Sequence, residues 1–145
     1  MKVLNSTRGT VLATCAQIAE SNEARRVGLL NRESITPGEG LWIKQASSIH
    51  TFGMKFPIDV VFLNKDRFIV GIVPDMGPES STGRFPYCKF DSVLELPAGT
   101  VAATGTREGD AIDLRIETQT DLMGLLAVTA AALLMFTLLV MRHAN

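Results

Sequence analysis

The sequence predicts an α+β domain, a mainly antiparallel β-sheet or small barrel-like unit with short helices, followed by one transmembrane helix. Three observations carry this reading. Short runs rich in β-branched residues are separated by Gly, Pro and Asn clusters. Two stretches carry helix-start signals yet leave room for only a turn or two. The chain has 14 Lys and Arg and 15 Asp and Glu, but Arg142 alone of these lies after Asp121. With 145 residues, one soluble domain can bury a real core. The expected division is a domain over 1–117, a tether over 118–121, a span over 122–141 and a tail over 142–145.

The elements follow in order. Thr10 to Ala19 alternates loosely and reads as one strand. Ser21 or Asn22 caps a short helix with Glu23 in its first turn and Ala24, Val27 and Leu30 at spacing three. Pro37-Gly38 and Gly40 mark a turn before Leu41-Trp42-Ile43. Ile58–Leu63 and Phe68–Val73, joined by Asn64-Lys65-Asp66-Arg67, form the clearest hairpin. The prolines and glycines between Pro74 and Pro86 predict a long surface loop. Ser92–Leu96 is a strand. Pro97–Thr104 then fits a short helix opened by proline and closed by Gly105. Gly109-Asp110 is a turn, and Ile112, Leu114 and Ile116 alternate in a last strand.

Leu122 to Met141 holds twenty consecutive residues without a charge, Asn, Gln or Pro. As a helix it is roughly 30 Å long, the thickness of a bilayer's hydrocarbon core. A buried core helix of a soluble protein would show one polar face, and this run has none. Gly124, Ala127 and Ala131 are small residues near helical spacing, and a homodimer through the anchor would use them. The start of the chain has no apolar run of signal-peptide type. Cys15 follows no hydrophobic region that would make it a lipidation site. We therefore expect a single-pass tail anchor in the lipid bilayer with a cytoplasmic domain. Arg107 and Arg115 before the span against Arg142 after it add little to the orientation. Thr118 to Asp121 reach at most about 14 Å, so the domain would ride close to the membrane.

The charge balance excludes a general nucleic-acid binder, which needs a basic stripe to neutralise phosphates. Two Cys and two His are too few and too scattered for a zinc site, and no metal or cofactor is expected. Cys15 and Cys88 lack a CxxC partner or a neighbouring His that would make either a nucleophile. A disulfide between them is open only to a domain outside the cytoplasm. Gly105, Gly109 and Asp110 lack the Lys and the strand–loop–helix setting of a phosphate loop. Trp42, Phe52, Phe56, Phe85 and Tyr87 read as core in preference to an aromatic groove.

Four segments carry a resemblance. They are Arg26-Val27-Gly28-Leu29-Leu30-Asn31-Arg32, the run Ile49 to Leu63 (IHTFGMKFPIDVVFL), Val93-Leu94-Glu95-Leu96-Pro97-Ala98-Gly99, and Gly105 with Gly109-Asp110. In this order, over roughly Arg8 to Ile116, they resemble the prokaryotic domain-of-unknown-function family 192. The resemblance implies a small, mainly β domain, often exported or membrane-linked, with no established activity. Leu41-Trp42-Ile43 stands where the family commonly has a Met-Leu-Phe type run, and His50-Thr51-Phe52-Gly53 replaces a more aromatic stretch. The C-terminal span replaces the more familiar N-terminal export signal.

His50, Lys55, Asp59 and Glu95 are the polar residues inside the distinctive segments. A carboxylate set in an apolar strand faces solvent, or is buried and must be paired. An enzyme would gather His50, Asp59 and Glu95 in one pocket, with the imidazole as acid or base oriented by a carboxylate. The structural reading, which we favour, pairs Lys55 or Arg26 with Asp59 or Glu95 and has His50 cap a turn. Two functions follow. The first is a non-catalytic binding or assembly module at the membrane surface, with a protein partner at the Pro74–Pro86 loop or a sheet edge. The second is a membrane-tethered enzyme built on His50, Asp59 and Glu95, whose three side chains we expect to diverge.

Overall fold

The computed structural model describes residues 1–46, 48–82 and 89–115. The expected tether, span and tail, together with Phe85, Tyr87, Cys88, Ile116 and the end of the Pro74–Pro86 segment, lie outside the described residues.

Among the described residues there are eight strands and two short helices. They run β1 (Lys2–Asn5), β2 (Thr10–Ala13), β3 (Cys15–Ala19), α1 (Asn22–Val27), β4 (Glu39–Lys44), β5 (Ile58–Leu63), β6 (Ile69–Met76), β7 (Ser92–Pro97), α2 (Thr100–Thr104) and β8 (Ile112–Arg115). The strands make two sheets in place of one sheet or a closed barrel. A three-stranded sheet has the order β2-β1-β8, and a five-stranded sheet has the order β3-β4-β7-β5-β6. All pairings are antiparallel except β3 with β4. Parallel neighbours need a long crossover, and the stretch holding α1 supplies it. Ser21 caps α1 by accepting from the Ala24 N–H at 3.0 Å, as its position before Glu23 predicts.

The single strand expected over Thr10–Ala19 is two. At Thr14 the chain leaves one sheet for the other, and the N–H groups of Thr14 and Cys15 both donate to the Gly38 carbonyl. Pro97 ends β7, paired with Ile58, so the second helix starts at Thr100 and not at the proline. The hairpin and the last strand fall where expected. Strand β6 extends through Pro74 to Met76, which shortens the expected loop from its front.

Both faces of the five-stranded sheet are covered, which is why every residue of β5 and β7 is buried. On one face Val61, Leu63, Leu94 and Leu96 pack against Val3, Leu12, Ile112 and Val101, from the smaller sheet and α2. On the other, Ile58, Val60, Phe62, Val93, Leu41 and Ile43 pack under Leu29, Ile49 and Met54 from the segments after α1 and β4. Trp42 joins the first cluster and Phe56 the second, whereas Phe52 is 51% exposed. The aromatic residues that are described therefore do not gather into one groove.

Candidate functional site

The pairing of β5 with β7 decides where the two strand carboxylates go. Asp59 sits opposite Leu96, and Val60 sits opposite Glu95. Cross-strand partners share a face and successive residues alternate, so Asp59 and Glu95 occupy opposite faces of the sheet.

Asp59 is buried and fully engaged by backbone. Its Oδ2 accepts from the Val101 N–H at 2.8 Å, and its Oδ1 accepts from the Asp75 N–H at 2.9 Å. The first bond caps α2, whose N-cap is Gly99 and has no side chain to offer. The second holds a bulge. The register moves from Ile58↔Met76 to Val60↔Val73, which places an extra residue in β6, and Asp75 there has φ 49°. Neither Lys55 nor Arg26 pairs with Asp59. Lys55 pairs instead with Glu33 on the surface.

Glu95 is the reverse case. It is 4% exposed, its cross-strand neighbours are Leu41 and Val60, and its Oε2 has no hydrogen-bond partner. Burial pushes its carboxyl up to about 7, because a charge there loses hydration and gains no counter-charge. The group lines a cavity of about 60 Å³ between the sheet and its covering segments, bounded by residues 25–30, Ile43, 48–50, Met54 and Glu95. A single water needs roughly 10–15 Å³ of such space, so there is room for a group of several heavy atoms.

His50 lines the same cavity. It stacks on Phe52 with ring centroids 5.4 Å apart and forms an isolated antiparallel bridge with Ser81. Its segment is pinned from the other side. The buried Thr51 hydroxyl donates to the Gly77 carbonyl at 2.7 Å and accepts from the Ser80 N–H at 3.0 Å. The Glu79 carboxylate accepts from the Gly53 N–H at 2.7 Å. Of the three candidates, the structure thus brings His50 and Glu95 to one cavity and commits Asp59 elsewhere.

Two arginines are among the residues that line the cavity. Arg25 is occupied by the Glu20 carbonyl at 2.9 Å, the Gln45 amide oxygen at 3.2 Å and Asn22. Arg26 is exposed and has no ion-pair partner among the described residues. The ion pair expected of Arg26 with Glu95 is not formed, although both line the cavity; residue patterns alone did not place Gly28, Leu29 or Met54 there, since tertiary packing joins them. Their signal was present all the same: three of the four segments that carried the family resemblance line this cavity. Among the described residues no group of three His, Cys, Asp or Glu is placed to hold a metal ion. Cys15 is an exposed free thiol.

The family model for the domain of unknown function 192, described as "Uncharacterized ACR", matches residues 3–114. The chain belongs to this family. Solved structures share the fold of this domain. One, a protein of unknown function from Novosphingobium aromaticivorans, has a TM-score of 0.68 and 21% identity, over 79% of this chain and 84% of that one. Another, described as a candidate transcription regulator from Sinorhizobium meliloti, has a TM-score of 0.64 and 22% identity, over 77% and 89%. At these identities the likeness is one of fold. No curated protein matches the chain.

Proposed function

We propose that this member of family 192 is a non-catalytic binding module held at a membrane surface, and that the Glu95 cavity is its ligand site. The observation that supports this is a buried carboxyl with an unpartnered oxygen, on a residue that lines a cavity. An unpaired buried polar atom costs roughly 1–3 kcal/mol. A ligand that donates a hydrogen bond to it recovers that cost and is selected by it. The uncharged run Leu122–Met141 supports the anchor, with the domain on the cytoplasmic side and a protein partner or a second copy as its neighbours at the bilayer.

The binding half is tested by NMR, screening small polar organic fragments against the full chain in lipid nanodiscs. Shifts concentrated at Leu29, Met54 and Glu95 are expected. The absence of any fragment that perturbs these residues would overturn it. The anchoring half is tested by protease protection of an N-terminal reporter, which is expected to be shielded inside sealed cells.

A membrane-tethered enzyme is the second reading, favoured by the sharing of one cavity by His50 and Glu95. It would have to work without Asp59, whose oxygens are taken by backbone N–H groups.

A further inference from the structure

The charges around the Glu95 cavity are arranged unevenly, and that unevenness carries information about the ligand. The acceptor lies on the sheet, on apolar ground formed by Leu41 and Val60. The cations lie on the covering segment, as Arg25 and Arg26. His50 is the remaining titratable group among the lining residues. Arg25 is engaged by neighbouring oxygens, which leaves Arg26 as the guanidinium able to receive an anion.

A lone amine would satisfy Glu95 but share the lining with two cationic residues. A lone carboxylate would suit Arg26 but bring a second carboxyl up to Glu95. A molecule bearing both charges a few bonds apart meets both demands, and a charge-assisted hydrogen bond is the strongest partner for a buried carboxylate. The cavity of about 60 Å³ limits its size, and Leu29, Ile43 and Met54 offer an apolar wall for a short side chain.

We propose that the Glu95 cavity binds a small zwitterionic amino acid, with its ammonium donating to the Glu95 carboxylate and its carboxylate turned to Arg26. This rests on the reading of the cavity as a ligand site and names the chemistry of that ligand. An ammonium needs Glu95 as carboxylate, so at pH 6, where burial keeps the free carboxyl protonated, binding transfers one proton from Glu95 to the buffer.

The test is calorimetry on the full chain in nanodiscs at pH 6, in two buffers of different ionisation enthalpy. L-alanine is the probe, and methylammonium and acetate are its separate halves. Saturable alanine binding with proton release is expected. It should be lost in Glu95→Gln, and Arg26→Ala should weaken it by about tenfold while strengthening methylammonium binding. Arg26 is exposed, so its replacement leaves the core untouched. No saturation by alanine up to about 10 mM, with fragments still shifting Leu29 and Met54, would overturn the amino-acid assignment and leave the ligand site standing. Acetate binding as tightly as alanine, or alanine affinity unchanged in Glu95→Gln, would overturn it equally. Failure of alanine and of every fragment would mean a cavity for ordered water only and would remove both readings.

Discussion

Two carboxylates, 36 positions apart in sequence and one register step apart in the sheet, behave oppositely. Asp59 is a structural acceptor, so Asp59→Ala strands the buried Val101 N–H and the part-buried Asp75 N–H and should cost roughly 2–4 kcal/mol in urea unfolding. Asp59→Asn keeps one oxygen and should fall between that variant and the parent. Glu95 is a standing cost to the fold. Its folded value is raised from 4.5 to about 7, so its contribution is most favourable below pH 4.5 and is lost as pH rises through 7. At about 1.4 kcal/mol per pH unit the loss amounts to up to about 3 kcal/mol. Glu95→Gln, which cannot ionise, should therefore show a flatter stability profile from pH 5 to 8 and exceed the parent above pH 7. Nothing in the sequence separates these two residues. Each is an acid inside an apolar strand, and a one-residue slip of β5 against β7 would have placed them on one face.

Elements whose chemistry is local were legible in advance. Ser21 with Glu23 marks α1, and replacing Ser21 by Ala should cost about 1 kcal/mol. The Asn64 carboxamide accepts from the N–H groups of Asp66 and Phe68, and so turns the β5–β6 hairpin where Asn64-Lys65-Asp66-Arg67 predicts. What depends on distant partners was not legible. Strand β1 is four residues long, too short for periodicity to announce, and it exists because β2 and β8 flank it. The polar cluster beneath it is equally non-local. Asp110 accepts from Arg8 Nε at 2.5 Å, from the Asn5 amide at 2.9 Å and from the Arg107 N–H at 2.9 Å. The Arg8 bond, joined by those from Asn5 and Arg107, holds its carboxyl down at about 2 against an ordinary 3.8. That stability is present above about pH 4 and is lost as pH falls through 2, worth about 2 kcal/mol. Acid unfolding of Asp110→Asn should accordingly start from a less stable protein at pH 6 and lose less on the way to pH 2.

At the scale of the molecule, a sheet covered on both faces leaves the Glu95 carboxyl with an unanswered oxygen and a cavity beside it. The fold class was readable because turn residues and β-rich runs alternate along the chain. The cavity was not, because it forms where residues 25–30, 48–54 and β7 meet in space. The proposed anchor makes its own demand. The full chain should partition with membranes, and a chain ending at Thr120 should remain in the aqueous phase. The cavity, however, bears most directly on function, and the state of Glu95 decides it. The decisive measurement is a 13C NMR titration of the Glu95 side-chain carboxyl in the ligand-free protein. A midpoint near 7 is the result expected of a buried carboxyl with a vacant acceptor. A midpoint near the ordinary 4.5 would mean that the group is hydrated or already paired, and the binding site would lose its central feature.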